Sequence, residues 1–416
     1  MVHHTMTSNM SKANKASNSN PVISTLRWLA RNRLRALATA TIVGSLVGCG
    51  VFTSPPSLPT APSDAPDHNA RSAPADAPAA GAALPAPIVR AQSRWVAVPW
   101  SDLPGWSQDT LQEAWPAWLL SCQRAAASAA AVCAEVQRWQ GASQRAQQAW
   151  LMQRFQPYRV ETLQGGTEGL LTSYYEPVLE ASRLPRPGFS VPLYAVPQGL
   201  GSRKPWFTRE EIDTLPQARA ALQGKALVYL ADPVDAMVLH IQGSGRIRVT
   251  EADGSVRMVR LAFAGTNEHP YKSIGSWLLE QGFTRDATWP GIKAWIAKNP
   301  QRLNELLWKN PRVVFFKEES LAGAAAESGP KGAQGVPLTA GRSIAVDPGS
   351  IPYGTPVWLA SNGAQAQLQK LVLAQDTGSA IVGGIRADYF AGSGPAAGEL
   401  AGRLKQPLRL WVLVPR

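Results

Sequence analysis

The chain has 416 residues, which exceeds one ordinary domain, so we expect one large domain or two. Hydrophobic residues make up 45% of it and charged residues 17%, which is the balance of a chain that can bury a core. The formal charge is +12, but six of these charges precede Cys49, where there is no acid. The remaining +6 suits any anionic polymer, and without a basic stripe that includes stacking aromatics we expect no nucleic-acid partner.

The first 48 residues predict an export signal. A basic segment at residues 27–35 precedes an apolar run at residues 36–48, which is too short to span a bilayer. The run ends in Leu46-Val-Gly-Cys49, which is similar to a bacterial lipobox. This resemblance implies cleavage before Cys49 and lipidation of its thiol. An ordinary signal peptide with a chance cysteine is the alternative, and Met6 and Met10 are alternative starts.

Residues 49–91 are predicted to form a tether after the lipidated cysteine. Pro, Ala, Ser and Asp dominate this segment, and its apolar content is too low for folding. Gly50, rather than an Asp, follows Cys49, and the resemblance to bacterial sorting signals therefore favours the outer membrane, with the protein on its periplasmic face. An exported location permits a disulfide between Cys122 and Cys133. Two buried thiols on helices are the alternative.

Beyond the tether, residues 95–158 are predicted to be largely helical, with apolar residues at helical spacing at 111–119 and again at 149–155. From Gly169 the pattern changes to short apolar runs broken by Gly and Pro, which predict strands. These runs are residues 170–175, 191–196, 226–230, 236–242, 247–250 and 256–263. Among them, Thr208-Arg-Glu-Glu211 is a capping box that predicts a short helix.

Helices are predicted again at residues 272–281 and 292–308, the latter interrupted near Pro300. The chain then returns to strand-like runs at residues 312–316, 343–347, 355–360, 368–375 and 408–414. Many short strands with few regular helices favour a barrel over an alternating βαβ sheet.

Three groups of motifs carry the functional signal. The first is Thr172-Ser-Tyr-Tyr-Glu-Pro177, and the second is Gln242-Gly-Ser-Gly-Arg-Ile247 followed by residues 265–275. The third group contains Ala345-Val-Asp-Pro348, Ile351-Pro-Tyr-Gly-Thr355, Ala374-Gln-Asp-Thr-Gly378 and Arg386-Ala-Asp-Tyr-Phe390. In this order and behind a lipobox, they resemble the membrane-bound lytic murein transglycosylase A family over about residues 160–416. The tail is similar to the three-aspartate domain of several cell-wall enzymes.

The resemblance implies a mainly β fold with some α. A double-psi β-barrel domain with N-terminal helices is expected at residues 92–172 and 309–416, with the three-aspartate segment at about 337–416. A smaller β-domain is expected to be inserted at residues 173–308, with a glycan groove between the two.

The activity that the resemblance implies is lytic cleavage of the β-1,4 bond between MurNAc and GlcNAc in peptidoglycan, which leaves 1,6-anhydro-MurNAc ends. The expected partners are glycan strands and, through acylated Cys49, outer-membrane lipid; a cell-wall enzyme complex is a further candidate. We expect no metal and no cofactor, because His240 and His269 lack ligand spacing and no phosphate-binding glycine motif precedes a helix.

Matched residue by residue, the family's three aspartates correspond to Asp347, Asp376 and Asp388. Asp388 precedes an apolar-aromatic pair and a Gly, as the family's catalytic aspartate does, and is expected to be the single acid/base. Such a role needs a raised pKa, which burial or the charge of Asp376 would supply. The chain departs from the family at Gly378-Ser-Ala380, where Gly-Gly-Ala is common. Without the resemblance, an Asp in a Gly-rich stretch indicates a turn.

Substrate contacts are expected from Gln242, Gly243, Ser244 and Gly245, because glycines allow close approach and the Gln and Ser side chains can bond sugar hydroxyls. A hairpin turn is the structural alternative. Tyr174, Tyr175 and Lys272 are weaker candidates, for which a position in the core or at its rim is the alternative. At the level of function, two alternatives stay open: a glycan hydrolase in which Asp376 activates water, and a murein-binding lipoprotein without catalysis.

Overall fold

A computed structural model describes residues 83–416 of the protein. The predicted signal peptide, Cys49 and the tether up to residue 82 lie outside these residues. Fifteen strands, β1 to β15, cross the described part in chain order. They are Ile88–Val89, Arg94–Ala97, Phe155–Glu161, Gly169–Glu176, Val178–Ser182, Val191–Tyr194, Ala226–Leu230, Gly245–Thr250, Val256–Thr266, Val314–Ser320, Ser343–Val346, Pro356–Asn362, Gln367–Asp376, Arg386–Ser393 and Lys405–Pro415.

Eleven α-helices, α1 to α11, lie between these strands in the same part of the chain. They are Trp115–Cys122, Ala130–Arg138, Gln144–Arg154, Arg209–Thr214, Pro216–Ala221, Pro233–Gln242, Ile274–Glu280, Trp289–Lys298, Leu303–Trp308, Ala324–Glu327 and Pro395–Arg403. None of the helices that the structure describes is long and apolar enough to cross a membrane.

The first sheet has nine strands in the order β1-β2-β3-β15-β12-β13-β11-β14-β4. Its last strand, β4, also pairs with β15, so β4, β11, β12, β13, β14 and β15 close on themselves as a ring. Two pairs in the ring are parallel, β11 with β13 and β14 with β4. Closure leaves these six strands without a free edge.

Aliphatic side chains fill the inside of this barrel, among them Leu171, Val357, Val372 and Leu410. Helices α1 to α3 pack on its outside through a cluster of buried aromatic residues. The cluster contains Trp106, Trp115, Trp118, Trp150, Phe155, Trp358 and Trp411. The early tryptophans therefore stabilise the packing of the helices on the barrel.

The second sheet has six strands in the order β10-β9-β8-β5-β7-β6. Strands β5 and β8 are parallel, and a single bridge joins Ala195, just after β6, to Phe316 on β10. Strand β10 ends at Ser320, so this sheet extends beyond residue 308, the boundary expected from the sequence. The expected fold class, a barrel with a smaller β part and some helices, is confirmed.

One predicted strand is wrong. Residues 236–242 lie in helix α6, which begins one residue after Asp232. Asp232 Oδ1 accepts a hydrogen bond from the Val234 amide (2.7 Å), Pro233 occupies the first turn, and Gly243 ends the helix at φ 78°. A short apolar run does not distinguish a strand from a buried helix, but these start and stop residues do.

The predicted helical region also contains strands. Strand β2 lies at residues 94–97, and β3 begins at Phe155, where the last predicted helical turn had been placed. Strands β5 and β14 and helix α11 were not predicted, whereas the other predicted elements agree closely with the structure. Strand β7 has the predicted bounds, and the Thr208 capping box is present with both of its hydrogen bonds.

Candidate active site

Asp388 lies on barrel strand β14, directly opposite Thr172 on the parallel strand β4. The Thr172 hydroxyl donates a hydrogen bond to Asp388 Oδ1, and it accepts one from Arg386 Nη2 (2.8 Å). Arg386 also donates to the Ala387 carbonyl (2.6 Å), which fixes its guanidinium beside the strand. The Thr172 hydroxyl therefore holds one oxygen of the Asp388 carboxyl group, and Arg386 in turn holds the Thr172 hydroxyl.

Burial raises the pKa of Asp388 to about 6. The Thr172 hydrogen bond and the Arg386 charge oppose this rise, and the charge of Asp376 adds to it. The flanking Tyr389 and Phe390 are buried, as expected for an apolar surrounding. Within residues 83–416, Asp388 Oδ2 has no hydrogen-bond partner, since the described bonds reach only Oδ1. The group can thus carry a proton near pH 6 on an oxygen that is not otherwise engaged.

Asp376 lies at the end of β13, on the other side of β11 from Asp388. Its Oδ2 accepts a hydrogen bond from the Tyr174 hydroxyl (2.9 Å), and its Oδ1 accepts one from the Ala333 amide (2.9 Å). Burial raises its pKa, while these hydrogen bonds lower it. Both carboxylate oxygens are therefore engaged by the protein.

Tyr174 lies beside Asp376 and Asp388, although the sequence indicates it only as a weaker candidate. Residues 172 and 174 are two apart on β4, so their side chains leave the same face of the strand. The Tyr174 ring packs against Phe390 with 5.3 Å between centroids. Burial and the charges of Asp376 and Asp388 raise the pKa of Tyr174 well above its usual value, so the phenol stays a proton donor to Asp376.

Asp347 contacts different groups from the other two aspartates. Its Oδ1 accepts from the Gly349 amide (2.8 Å) and its Oδ2 from the Gly383 amide (2.8 Å). These bonds tie the loop after β11 to the loop before β14. Asp347 thus organises the two loops, while the other two aspartates flank one position of β11.

The segment 242–245 is expected to line a groove, and the structure shows which protein groups its four residues contact. Ser244 is buried and its hydroxyl donates to Glu176 Oε1 (3.3 Å), so this hydroxyl is used inside the protein. A Cβ on Gly245 would lie 2.4 Å from Leu239 Cδ1, so a larger residue here would displace the Leu239 side chain of α6. Gly243 is the left-handed end of α6. Gln242 Oε1 accepts from the Tyr175 amide (3.0 Å), which attaches the end of this helix to β4.

The other two weak candidates, Tyr175 and Lys272, contact residues other than Asp376 and Asp388. The Tyr175 ring packs on Gly398 of α11, and burial raises its pKa, with Asp235 and Lys293 as the charges nearby. Lys272 is exposed, and its backbone amide donates to Asn310 Oδ1 (3.3 Å). Within residues 83–416, neither side chain forms a hydrogen bond with Asp376 or Asp388.

Sequence reasoning gave no role to Glu176, which is fully buried at the end of β4. It accepts from Arg246 Nε (2.8 Å), Arg260 Nε (2.5 Å) and the Ser393 hydroxyl (2.8 Å). Two arginines of the second sheet and a serine of the barrel thus bond one carboxylate. A buried charge with so many partners is strongly destabilised if one partner is removed.

Thr172 and Arg386 were also without a predicted side-chain role. The available signal was the alternation Thr172, Tyr174, Glu176, which puts three polar side chains on one face of an apolar strand. Arg386 lies two residues before Asp388, on the same face of β14 by the same rule.

Cys122 and Cys133 are joined by a disulfide, with 5.5 Å between their Cα atoms. In the described part of the chain no group of three His, Cys, Asp or Glu side chains could hold a metal ion.

Comparisons with known proteins follow the same two regions. The family model of the MltA specific insert domain matches residues 170–317, and that of the 3D domain matches residues 342–414. A curated relative from Vibrio cholerae serotype O1, named membrane-bound lytic murein transglycosylase A, is 33% identical over 254 residues. That match covers 59% of this chain and 65% of the relative, so the chain spans just under two thirds of the length of this relative.

Solved structures match over a larger share. The lytic transglycosylase LtgG of Burkholderia pseudomallei is 41% identical with a TM-score of 0.54, and the match covers 80% of this chain and 100% of that one. The structure of E. coli MltA with bound chitohexaose is 27% identical with a TM-score of 0.63, and the match covers 77% of this chain and 94% of that one. With both domain models and these relatives in agreement, the chain belongs to the membrane-bound lytic murein transglycosylase A family.

Proposed function

We propose that this protein is a lytic transglycosylase that cleaves the β-1,4 bond between MurNAc and GlcNAc in peptidoglycan, with Asp388 as its single acid/base. The observation that carries the proposal is the Asp388 carboxyl group, which has a pKa of about 6 and one oxygen without a hydrogen-bond partner among residues 83–416. Family membership supports the substrate class, and the bound chitohexaose of the E. coli relative is a β-linked glycan of the same kind.

The chemistry needs one group that first gives a proton and then takes one. Protonated Asp388 donates its proton to the glycosidic oxygen as the bond from that oxygen to the muramyl C1 breaks. The muramyl 6-hydroxyl then attacks C1, and its proton passes to the Asp388 carboxylate, which restores the starting state. No water is consumed, and the new bond closes a 1,6-anhydro ring. A side chain whose pKa is near the working pH serves both steps.

Asp376 is assigned an electrostatic role. Its two oxygens are engaged by Tyr174 and by the Ala333 amide, so it is held in place beside the reacting group. A carboxylate at this position stabilises positive charge that develops at C1, and it favours the protonated form of Asp388. Of the substrate contacts expected from the sequence, we propose Gln242 and Gly243, which lie at the end of α6 next to β4.

Two other functions compete with this one. In a hydrolase, Asp376 would have to activate water, but the hydrogen bonds that engage both of its oxygens speak against a free base. In a murein-binding lipoprotein without catalysis, nothing would require a buried Asp with a raised pKa, because a carboxyl group whose pKa is raised by burial destabilises the fold at neutral pH. The lytic mechanism accounts for both features.

The proposed location is the periplasmic face of the outer membrane, with acylated Cys49 as the anchor. The lipobox and Gly50 support it, and the V. cholerae relative is named membrane-bound. A cell-wall enzyme complex is a further proposed partner.

Mass analysis of the fragments released from purified sacculi tests the function. We expect muropeptides that are one water lighter than the hydrolytic products, and no label from water enriched in oxygen-18. Reducing ends that carry the label would establish a hydrolase instead, and intact sacculi after long incubation with folded protein would establish a binding protein.

A further inference from the structure

A buried hydrogen-bond network joins the C-terminal end of α1 to the strand that carries Asp376. Its central group is the Ser121 hydroxyl, in the last turn of α1. This hydroxyl donates to Gln334 Oε1 (3.0 Å) and accepts from Gln375 Nε2 (2.8 Å). Ser121 is 2% exposed and Gln375 is fully buried, so water cannot replace these bonds without rearrangement.

Each glutamine is anchored a second time. Gln375 Nε2 also donates to the Ala117 carbonyl (2.8 Å), and its Oε1 accepts from the Ser343 hydroxyl (2.5 Å). Gln334 Nε2 donates to the Ser121 carbonyl (3.3 Å), so Gln334 and Ser121 are joined by two hydrogen bonds. The hydrogen bonds of Ser121, Gln334 and Gln375 are mutually consistent, because each donor meets an acceptor.

The network ends at the candidate site. Gln375 directly precedes Asp376, and the backbone amide of Gln334 donates to the backbone carbonyl of Gln375 (3.0 Å). Ala333, which precedes Gln334, donates its own amide to Asp376 Oδ1 (2.9 Å). Ser121 therefore fixes Gln334, which follows Ala333 in the loop, and the backbone amide of Ala333 is the donor to Asp376. On its other side, Ser121 precedes Cys122, which the disulfide joins to Cys133.

We propose that Ser121 and Gln334 are positioning residues for the reaction, which hold the Ala333 amide on Asp376 from the far side of the loop. The inference rests on the proposed function, because it concerns the same two aspartates. The disulfide supports it by fixing the end of α1, where the network begins. Neither residue contacts the reacting atoms, so both act only through Asp376.

The expected consequence follows from the charges around Asp376. The titratable groups that face it are Tyr174 on β4, Asp388 on β14 and Tyr353 in the loop before β12, and Arg386 faces Asp388. When the Ala333 amide loosens, Asp376 loses a hydrogen bond that favours its charged form, and its pKa rises. A less charged Asp376 supports the protonated form of Asp388 less, so activity is lost at a lower pH than in the wild type.

The test compares Ser121→Ala, Gln334→Ala and the double variant in release of anhydro products from sacculi. We expect kcat to fall about three- to tenfold in each, the range that corresponds to one ordinary hydrogen bond, with little change in KM. The double variant should fall no further than the lower single variant, because the two side chains act through one contact. The high-pH limb of the kcat profile should shift to lower pH in all three.

Three controls separate positioning from a general loss of packing. Ser121→Thr keeps the hydroxyl at a residue that lines a cavity of about 300 Å³, so it should restore both kcat and the pH limb. Ser128→Ala removes an exposed hydroxyl from the lining of the same cavity and should change neither. In an Asp376→Asn background, Ser121→Ala should move the limb no further.

Additive losses in the double variant, or an unmoved pH limb in folded Ser121→Ala protein, would overturn the inference while leaving the proposed function intact. The reverse case is also distinguishable. Wild-type protein that releases no anhydro products would contradict the proposed function itself, before any variant is measured.

Discussion

Asp376 and Asp388 lie at the same level of the barrel, each in register with Ala345 on the strand between them. Two strand spacings separate their backbones, or about 10 Å. The register of β13 shifts between Ile344 and Ala345, but the charges of both aspartates raise the pKa of Tyr174, so the two carboxyl groups face one region from opposite sides of β11. Each can influence the ionisation of the other without a direct hydrogen bond, which is the basis of the first predictions.

We expect Asp388→Asn to abolish release of anhydro-muropeptides while it leaves folding and murein binding nearly intact. An amide keeps the shape and still accepts from Thr172, but it cannot donate the proton, and such help is worth about 10²–10⁴-fold. Asp376→Asn should cost less, because that group acts through charge. Both variants are measured by mass analysis of digested sacculi, with circular dichroism as the control for folding. An active Asp388→Asn beside an inactive Asp376→Asn would mean that the two roles are exchanged.

The pH dependence of kcat should respond in opposite directions to two substitutions. Asp388 must be protonated to act as an acid, so activity should fall as the pH rises through about 6. Asp376→Asn removes a negative charge that raises the pKa of Asp388, so the limb should move to lower pH. Thr172→Val removes a hydrogen bond that lowers this pKa, so the limb should move to higher pH. Thr172→Ser keeps the hydroxyl and serves as the control; shifts of the same sign in Asp376→Asn and Thr172→Val would exclude Asp388 as the titrating group.

Asp388 should also lower the stability of the wild-type protein at neutral pH. Its pKa in the folded protein, about 6, lies above the ordinary value of 3.8, so the folded state binds more protons between these two values. Stability from this group is therefore greatest below that window and falls as the pH rises through it. Asp388→Asn should raise the free energy of unfolding at pH 7.5 by up to about 3 kcal/mol, and should change it little at pH 4. Urea unfolding at the two pH values measures the difference, and an equal effect at both would contradict the linkage.

Removal of the disulfide should destabilise the protein by about 2–3 kcal/mol through the unfolded state. The two cysteines are 11 residues apart, so the closed loop is short. The double variant Cys122→Ser/Cys133→Ser is compared with the wild type by urea unfolding. A separate titration uses unfolded, unreduced protein that lacks Cys49, and two reactive thiols there would show that the bond is absent in the exported protein.

Cys49→Ala should release the protein from the membrane fraction or leave it unprocessed. The thiol is the proposed site of lipidation, and a chain without it has no acyl group to insert. Fractionation of the two membranes followed by immunoblotting measures the outcome. A Cys49→Ala protein that is processed normally and still fractionates with the outer membrane would place the anchor elsewhere.

The sequence was informative where a local pattern determines structure, and less so where distant segments meet. Apolar runs located most barrel strands, and Asp376 and Asp388 were identified by their motifs. Helix α6 was missed because its short apolar run was weighed above Asp232 and Gly243, which begin and end it. The roles of Thr172 and Glu176 could not be derived, since their partners Asp388 and Arg260 lie 216 and 84 residues away. Only the pairing of strands brings such residues together.

The closing strand of the barrel also affects when the site can form. Strand β4, which supplies Thr172 and Tyr174, pairs with β14 and β15, the last two strands among residues 83–416. Contacts across such a long separation form late in folding, because a large loop must close first. The partners Thr172 and Asp388 therefore cannot meet until β14 has been synthesised. A chain that stops before β14 would therefore lack the Thr172–Asp388 pair on which the proposed activity depends.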